Sequence, residues 1–127
     1  MLSITPIYAA LLAFLYVALS VKVISQRRSD KVSYGDGGNS DVLKAMRTHS
    51  NFAEYAPFAL LLIAMAELQG AGAWLINLLG LGILAGRVLH AYGFGKKPQI
   101  VILRQIGMLL TFASILIAAI ACLVMAF

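Results

Sequence analysis

Residues 47–66 read Arg47-Thr48-His49-Ser50-Asn51-Phe52-Ala53-Glu54-Tyr55-Ala56-Pro57-Phe58-Ala59-Leu60-Leu61-Leu62-Ile63-Ala64-Met65-Ala66. Nine residues rich in polar groups run without a break into a segment apolar enough to cross a membrane. Charges inside a transmembrane helix cost on the order of 3 kcal/mol each, so they persist where they pair, face a wet cavity or bind something. On a helix Arg47, Asn51, Glu54 and Tyr55 stand at i, i+4, i+7 and i+8 and share one face, a polar stripe at one end of an apolar rod.

Working outward, the whole chain has the same character. Of 127 residues, 61% are hydrophobic and 12% charged, and the mean hydropathy is +0.90, outside the range of an ordinary soluble domain. Residues 1–21, 68–86 and 106–127 contain no acidic or basic side chain. Each stretch can cross roughly 30 Å of hydrocarbon at about 1.5 Å per helical residue. With the Arg47 segment this gives four spans, near 4–25, 42–68, 72–94 and 98–126, in one all-α integral membrane domain over residues 1–127. The first is not a secretory signal peptide, because no basic residue precedes its apolar run.

All ten Lys and Arg residues lie in or beside the connections between spans 1 and 2 and between spans 3 and 4. The positive-inside rule then makes those loops cytoplasmic and both termini external. Topology accounts for the net charge of +5 without a nucleic-acid partner. The longest connection turns through Tyr34-Gly35-Asp36-Gly37-Gly38-Asn39, where the glycines permit positive φ and Asn39, Ser40 or Asp41 can cap the next helix. No strand precedes that loop and no Gly-Lys-Ser/Thr follows it, so it reads as a turn and not a phosphate cradle. Cys122 is a lone packing residue near the opposite end of span 4. His49 and His90 lack a second ligand pair, so no metal site is expected.

Span 3 carries a second stripe, Arg87, His90 and Phe94 at i, i+3 and i+7, and Arg104 opens span 4 after Lys96-Lys97-Pro98. These polar ends, with Arg27 and Arg28 at the end of span 1, are expected to converge as one cationic pocket around a buried carboxylate. Gly82-x-x-x-Gly86 marks close helix packing, within or between chains.

Taken together, Arg47-x-His49-x-Asn51-x-x-Glu54-Tyr55-x-Pro57, the basic Val23-Ile24-Ser25-Gln26-Arg27-Arg28 segment, Arg87-x-x-His90-x-x-x-Phe94 and Arg104 resemble the MAPEG family, the membrane-associated proteins in eicosanoid and glutathione metabolism, over nearly the whole chain. The compact glycine-rich loop looks like the bacterial branch. The resemblance implies a four-helix bundle assembling as a homotrimer in the bacterial inner membrane. Glutathione, the cosubstrate, would lie between subunits near the cytoplasmic face, beside a hydrophobic or lipid second substrate. Carried over by residue, Arg47, His49, Asn51, Glu54 and Tyr55 would bind glutathione with Arg27, and Arg87 and His90 would line the same pocket. Arg104 or Arg28 would act in catalysis at the thiol or the second substrate. Many eicosanoid-pathway members have tyrosine where Phe94 stands, and some have one at the position of Met108; both hydroxyls are absent here.

The residues agree with that reading on their own chemistry. Glutathione presents two carboxylates, an ammonium and a thiol, and arginine grips carboxylates bidentately. The implied activity is glutathione transfer to hydrophobic electrophiles or glutathione-dependent reduction of lipid hydroperoxides. The alternatives are a non-catalytic lipid-binding or scaffold protein of this fold and a small four-span multidrug transporter. The transporter is disfavoured because that class resembles a chain with an essential carboxylate in span 1, and span 1 here has none. Arg47 and Glu54 as a structural pair, and the loop lysines as topology determinants, are the simpler readings of those charges.

Overall fold

The computed structural model describes residues 1–127 as four helices and no strand: α1 (Thr5–Ser29), α2 (Ser40–Leu68), α3 (Ala73–Gly95) and α4 (Val101–Met125). All four are long and apolar enough to span a bilayer. α1 outruns its expected end by a turn, because no Gly or Pro interrupts Gln26–Ser29 and Arg27 and Arg28 in its last turn complement the helix dipole. α4 begins later than expected: Ile100 N–H donates back to Gly93 O at 2.9 Å, so residues 96–100 fold against the end of α3. Asn39 caps α2, its Oδ1 accepting from Asp41 N and Val42 N at 2.8 and 3.1 Å.

α2 and α3 form the centre. α1 packs on α2 and α3, and α4 packs on α3 and α2, while α1 and α4 do not touch. Gly82, Gly86 and Gly93 of α3 pack inside the chain against α4, while Gly80 packs against Tyr8 of α1. A Cβ on Gly107 would stand 2.6 Å from Gly86 O and from the His90 N, and a Cβ on Gly86 would meet Gly107 O at 2.9 Å. Only glycine at both positions allows the backbones this close. α4 answers with a buried face of small side chains, Gly107, Thr111, Ser114 and Ala118.

Only 24 of 127 residues are buried, so most of the apolar surface points outward. Phe14, Val17, Leu109, Leu116 and Ile120 are among the exposed residues, a surface that water would not tolerate and a bilayer covers. The buried carboxylate expected at the basic end is instead at the other end of the bundle. Glu67, at the end of α2, accepts from Ser3 N and Ile4 N through Oε1 (2.7 and 2.8 Å) and from Thr5 N through Oε2 (2.8 Å), supplying the acceptors that the first turn of α1 lacks. Glu54 is exposed and forms no ion pair, since the chain's one ion pair joins Lys97 to Asp41. It lies on the outer flank of α2, which no other helix of the chain covers.

Candidate functional site

At the basic end, the close α3–α4 approach brings Arg104 beside the last turns of α3. Arg47, Asn51, His90, Phe94, Arg104 and Met108 line one cavity of about 260 Å³. Inside it His90 stacks on Phe94 with ring centroids 5.7 Å apart, and the Arg104 guanidinium lies 5.7 Å from the Phe94 ring centre. Arg104 also donates to Gln99 Oε1 at 2.9 Å. The lining holds two guanidinium groups and no carboxylate, an electrostatic preference for an anion.

Arg87 stands behind this wall. It is 1% exposed, and its Nε donates to Thr111 Oγ1 (3.0 Å), its Nη1 to Asn51 Oδ1 (2.6 Å) and its Nη2 to Met108 Sδ (3.3 Å). Its guanidinium carbon is 5.6 Å from the Tyr55 ring centre, and Tyr55 meets Phe112 edge to face at 5.5 Å. Arg87 thereby ties α2, α3 and α4 together. Engaging the Asn51 amide oxygen leaves the Asn51 Nδ2 donors to the cavity.

The other expected site residues lie elsewhere in the chain. His49 is two positions from Arg47, about 200° around the helix, and faces α1. Its Nε2 is 3.0 Å from Ser20 Oγ, and its ring is 5.0 Å from that of Tyr16. Arg27 donates to Met46 Sδ at 3.3 Å, and with Arg28 it lines a separate open hollow of about 420 Å³ on the outer side of α1. The single cationic pocket expected from the sequence is therefore divided, because α2 stands between the ends of α1 and α4. Thr111 and Met108 were missed as partners of Arg87. The small and polar spacing of Gly107, Thr111, Ser114 and Ala118 was their readable signal.

An apolar groove of about 410 Å³ along α4, lined by Arg104, Gln105, Met108, Leu109 and Phe112, meets the polar cavity at Arg104 and Met108. The sequence pattern of the MAPEG family matches residues 5–124. The chain belongs to the MAPEG family. It is thus a membrane protein of the glutathione and eicosanoid metabolism type. Among its relatives, the inner membrane protein YecN of Escherichia coli strain K12 is 37% identical over 118 residues, 93% of this chain and 88% of that protein. The protein of the same name from Escherichia coli O6:H1 matches to the same extent. Four membrane-crossing helices and this similarity make the chain a multi-pass inner-membrane protein.

Proposed function

We propose that the protein is a glutathione-dependent transferase or peroxidase acting on hydrophobic electrophiles or lipid hydroperoxides. The observation that carries this reading is the junction at Arg104, where a cavity lined by cationic donors opens into an apolar groove on the bilayer-facing side of α4. The cavity suits the carboxylates and sulfur of glutathione, and the groove suits a substrate arriving from the lipid.

At about 260 Å³ the cavity falls just short of the roughly 300–1,000 Å³ of small-molecule sites, so a neighbouring subunit completes it. α1 and α4 occupy opposite flanks of the protomer. A ring that sets one copy's α1 edge against the next copy's α4 edge, a heterologous contact that closes by rotation, brings Arg27 and Arg28 to the Arg104 side. The homotrimer implied by the family supplies that ring, and the neighbour covers the exposed Glu54, leaving it to pair with the glutathione ammonium. The one-sided basic loops support a site near the cytoplasmic face with both termini outside.

An ordinary thiol of pKa about 8.5 is only about 3% ionised at pH 7. Arg104, partly desolvated at the junction, stabilises the thiolate. In conjugation the thiol proton passes to water and the sulfur lone pair forms the C–S bond; a halide leaves with the electron pair as the anion, or an opened ring oxygen takes that pair and then a proton. In hydroperoxide reduction the sulfur takes one peroxide oxygen and the alkoxide is protonated to the alcohol. A second glutathione then forms the disulfide and releases water.

The test is thiol-dependent turnover of a chromogenic aryl halide by purified protein, with the thiolate of bound glutathione followed by ultraviolet absorbance against pH. Arg104→Ala is expected to keep most glutathione binding, to lose most turnover, and to return the thiol pKa toward its free value, because its contact strengthens as the thiolate forms. Unchanged turnover and thiol pKa would move the role to Arg28. Glutathione binding without turnover in the native protein would favour the non-catalytic binding reading.

A further inference from the structure

A second cavity at the basic end shares no residue with the first. It lies inside the bundle mouth between α1, the first turns of α2, the end of α3 and the turn after it. Lys22, Gln26, Asp41, Lys44, Thr48 and Lys97 line it, with Gly95 at its back, and it encloses about 130 Å³. Three ammonium groups face it against one carboxylate, and that carboxylate is paired with Lys97. Lys44 donates to the Lys96 carbonyl, while Lys22 has no anionic partner in the chain. Gln26 Nε2 donates to Asp30, and Thr48 Oγ1 to Lys44 O. At a liquid share of about 30 Å³ per water, the space suits a single tetrahedral oxyanion.

We infer that this cavity is a binding site for one phosphate group, distinct from the Arg104 cavity, with Lys22 and Lys44 as its principal ligands. Lysine acts as a point charge toward phosphate, and basic pockets between helices at a cytoplasmic membrane surface are where anionic headgroups bind. α1 also exposes apolar side chains outside the cavity, Val21 next to Lys22 among them, which acyl chains can follow if the phosphate belongs to a phospholipid. The same oxyanion chemistry also accepts free phosphate, and the experiment separates the two sources.

Purified protein is returned to vesicles of phosphatidylcholine with one-fifth phosphatidylglycerol, extracted gently, and weighed by native mass spectrometry for retained lipid, with and without 20 mM inorganic phosphate. A direct hydrogen bond from one lysine to a bound phosphate is worth about a fivefold change in affinity. Lys22→Gln is therefore expected to lower phosphatidylglycerol retention about fivefold, and Lys22→Arg to restore it. The control Lys31→Gln/Lys96→Gln removes two charges from the same end outside the cavity and should leave retention unchanged. Displacement of the lipid by inorganic phosphate would confirm an oxyanion site open to free phosphate. Retention that resists phosphate and depends on Lys22 would confirm the headgroup. Loss in the control as large as in Lys22→Gln, or no retained lipid and no phosphate bound by equilibrium dialysis, would overturn the site. Glutathione affinity measured on the same samples should not change, so this proposal and the reading of the Arg104 cavity stand or fall separately.

Discussion

The two ends of the bundle both hold charge within membrane-spanning helices, and they treat it in opposite ways. At the end carrying the termini, Glu67 has three backbone N–H groups and the Ser3 hydroxyl around its carboxylate, a closed set that fastens α1 to α2. At the basic end Arg47 and Arg104 face an open cavity and neither has a carboxylate partner. A charge whose partners are all internal is architecture. One that is held in place but left without a counter-ion is poised for a ligand. Arg87 shows that the distinction follows partners and not residue type, since it sits at the basic end and is as fully engaged as Glu67.

The sharpest challenge to this contrast is Arg87→Met. It removes a buried guanidinium and strips donors from Asn51 and Thr111, so a loss of about 3 kcal/mol is expected, read as thermal unfolding in detergent. A folded variant of near-native stability that had lost only glutathione binding would turn Arg87 from a clamp into a ligand. Next, Glu67→Ala should cost about 2 kcal/mol by orphaning the first N–H groups of α1. Limited proteolysis should then open first near residues 1–8, with glutathione affinity retained. A smaller and opposite pattern is expected for Arg47→Ala: about tenfold weaker glutathione binding by calorimetry, with unfolding unchanged. If Arg47→Ala instead destabilised the fold, the open cavity would be part of the architecture. The smallest effect belongs to Tyr8→Phe, which deletes the 3.0 Å hydrogen bond to Asn77 Oδ1 between α1 and α3. A loss of about 0.5–1 kcal/mol is expected, with the basic end unaffected.

Hydrophobic run length and the one-sided distribution of lysine and arginine were enough to identify four spanning helices, because both properties are local and additive along the chain. The Arg47, Asn51 and Arg104 constellation was also legible, since spacing on α2 and the start of α4 decides which residues can share a depth. Three things were not. His49 turned to α1 because helical phase, at about 100° per residue, outweighs nearness in sequence to Arg47. Arg27 and Arg28 were parted from Arg104 because α1 and α4 flank the centre on opposite sides, an arrangement that no run of residues encodes. Glu67 found its partners 62 to 64 positions away only once α1 lay beside α2. Composition and periodicity thus determined what the helices are and that they suit a membrane. Tertiary packing, through the Gly86–Gly107 crossing, decided which charges were closed off and which were left open, because hydrogen-bond satisfaction depends on neighbours that only the fold supplies.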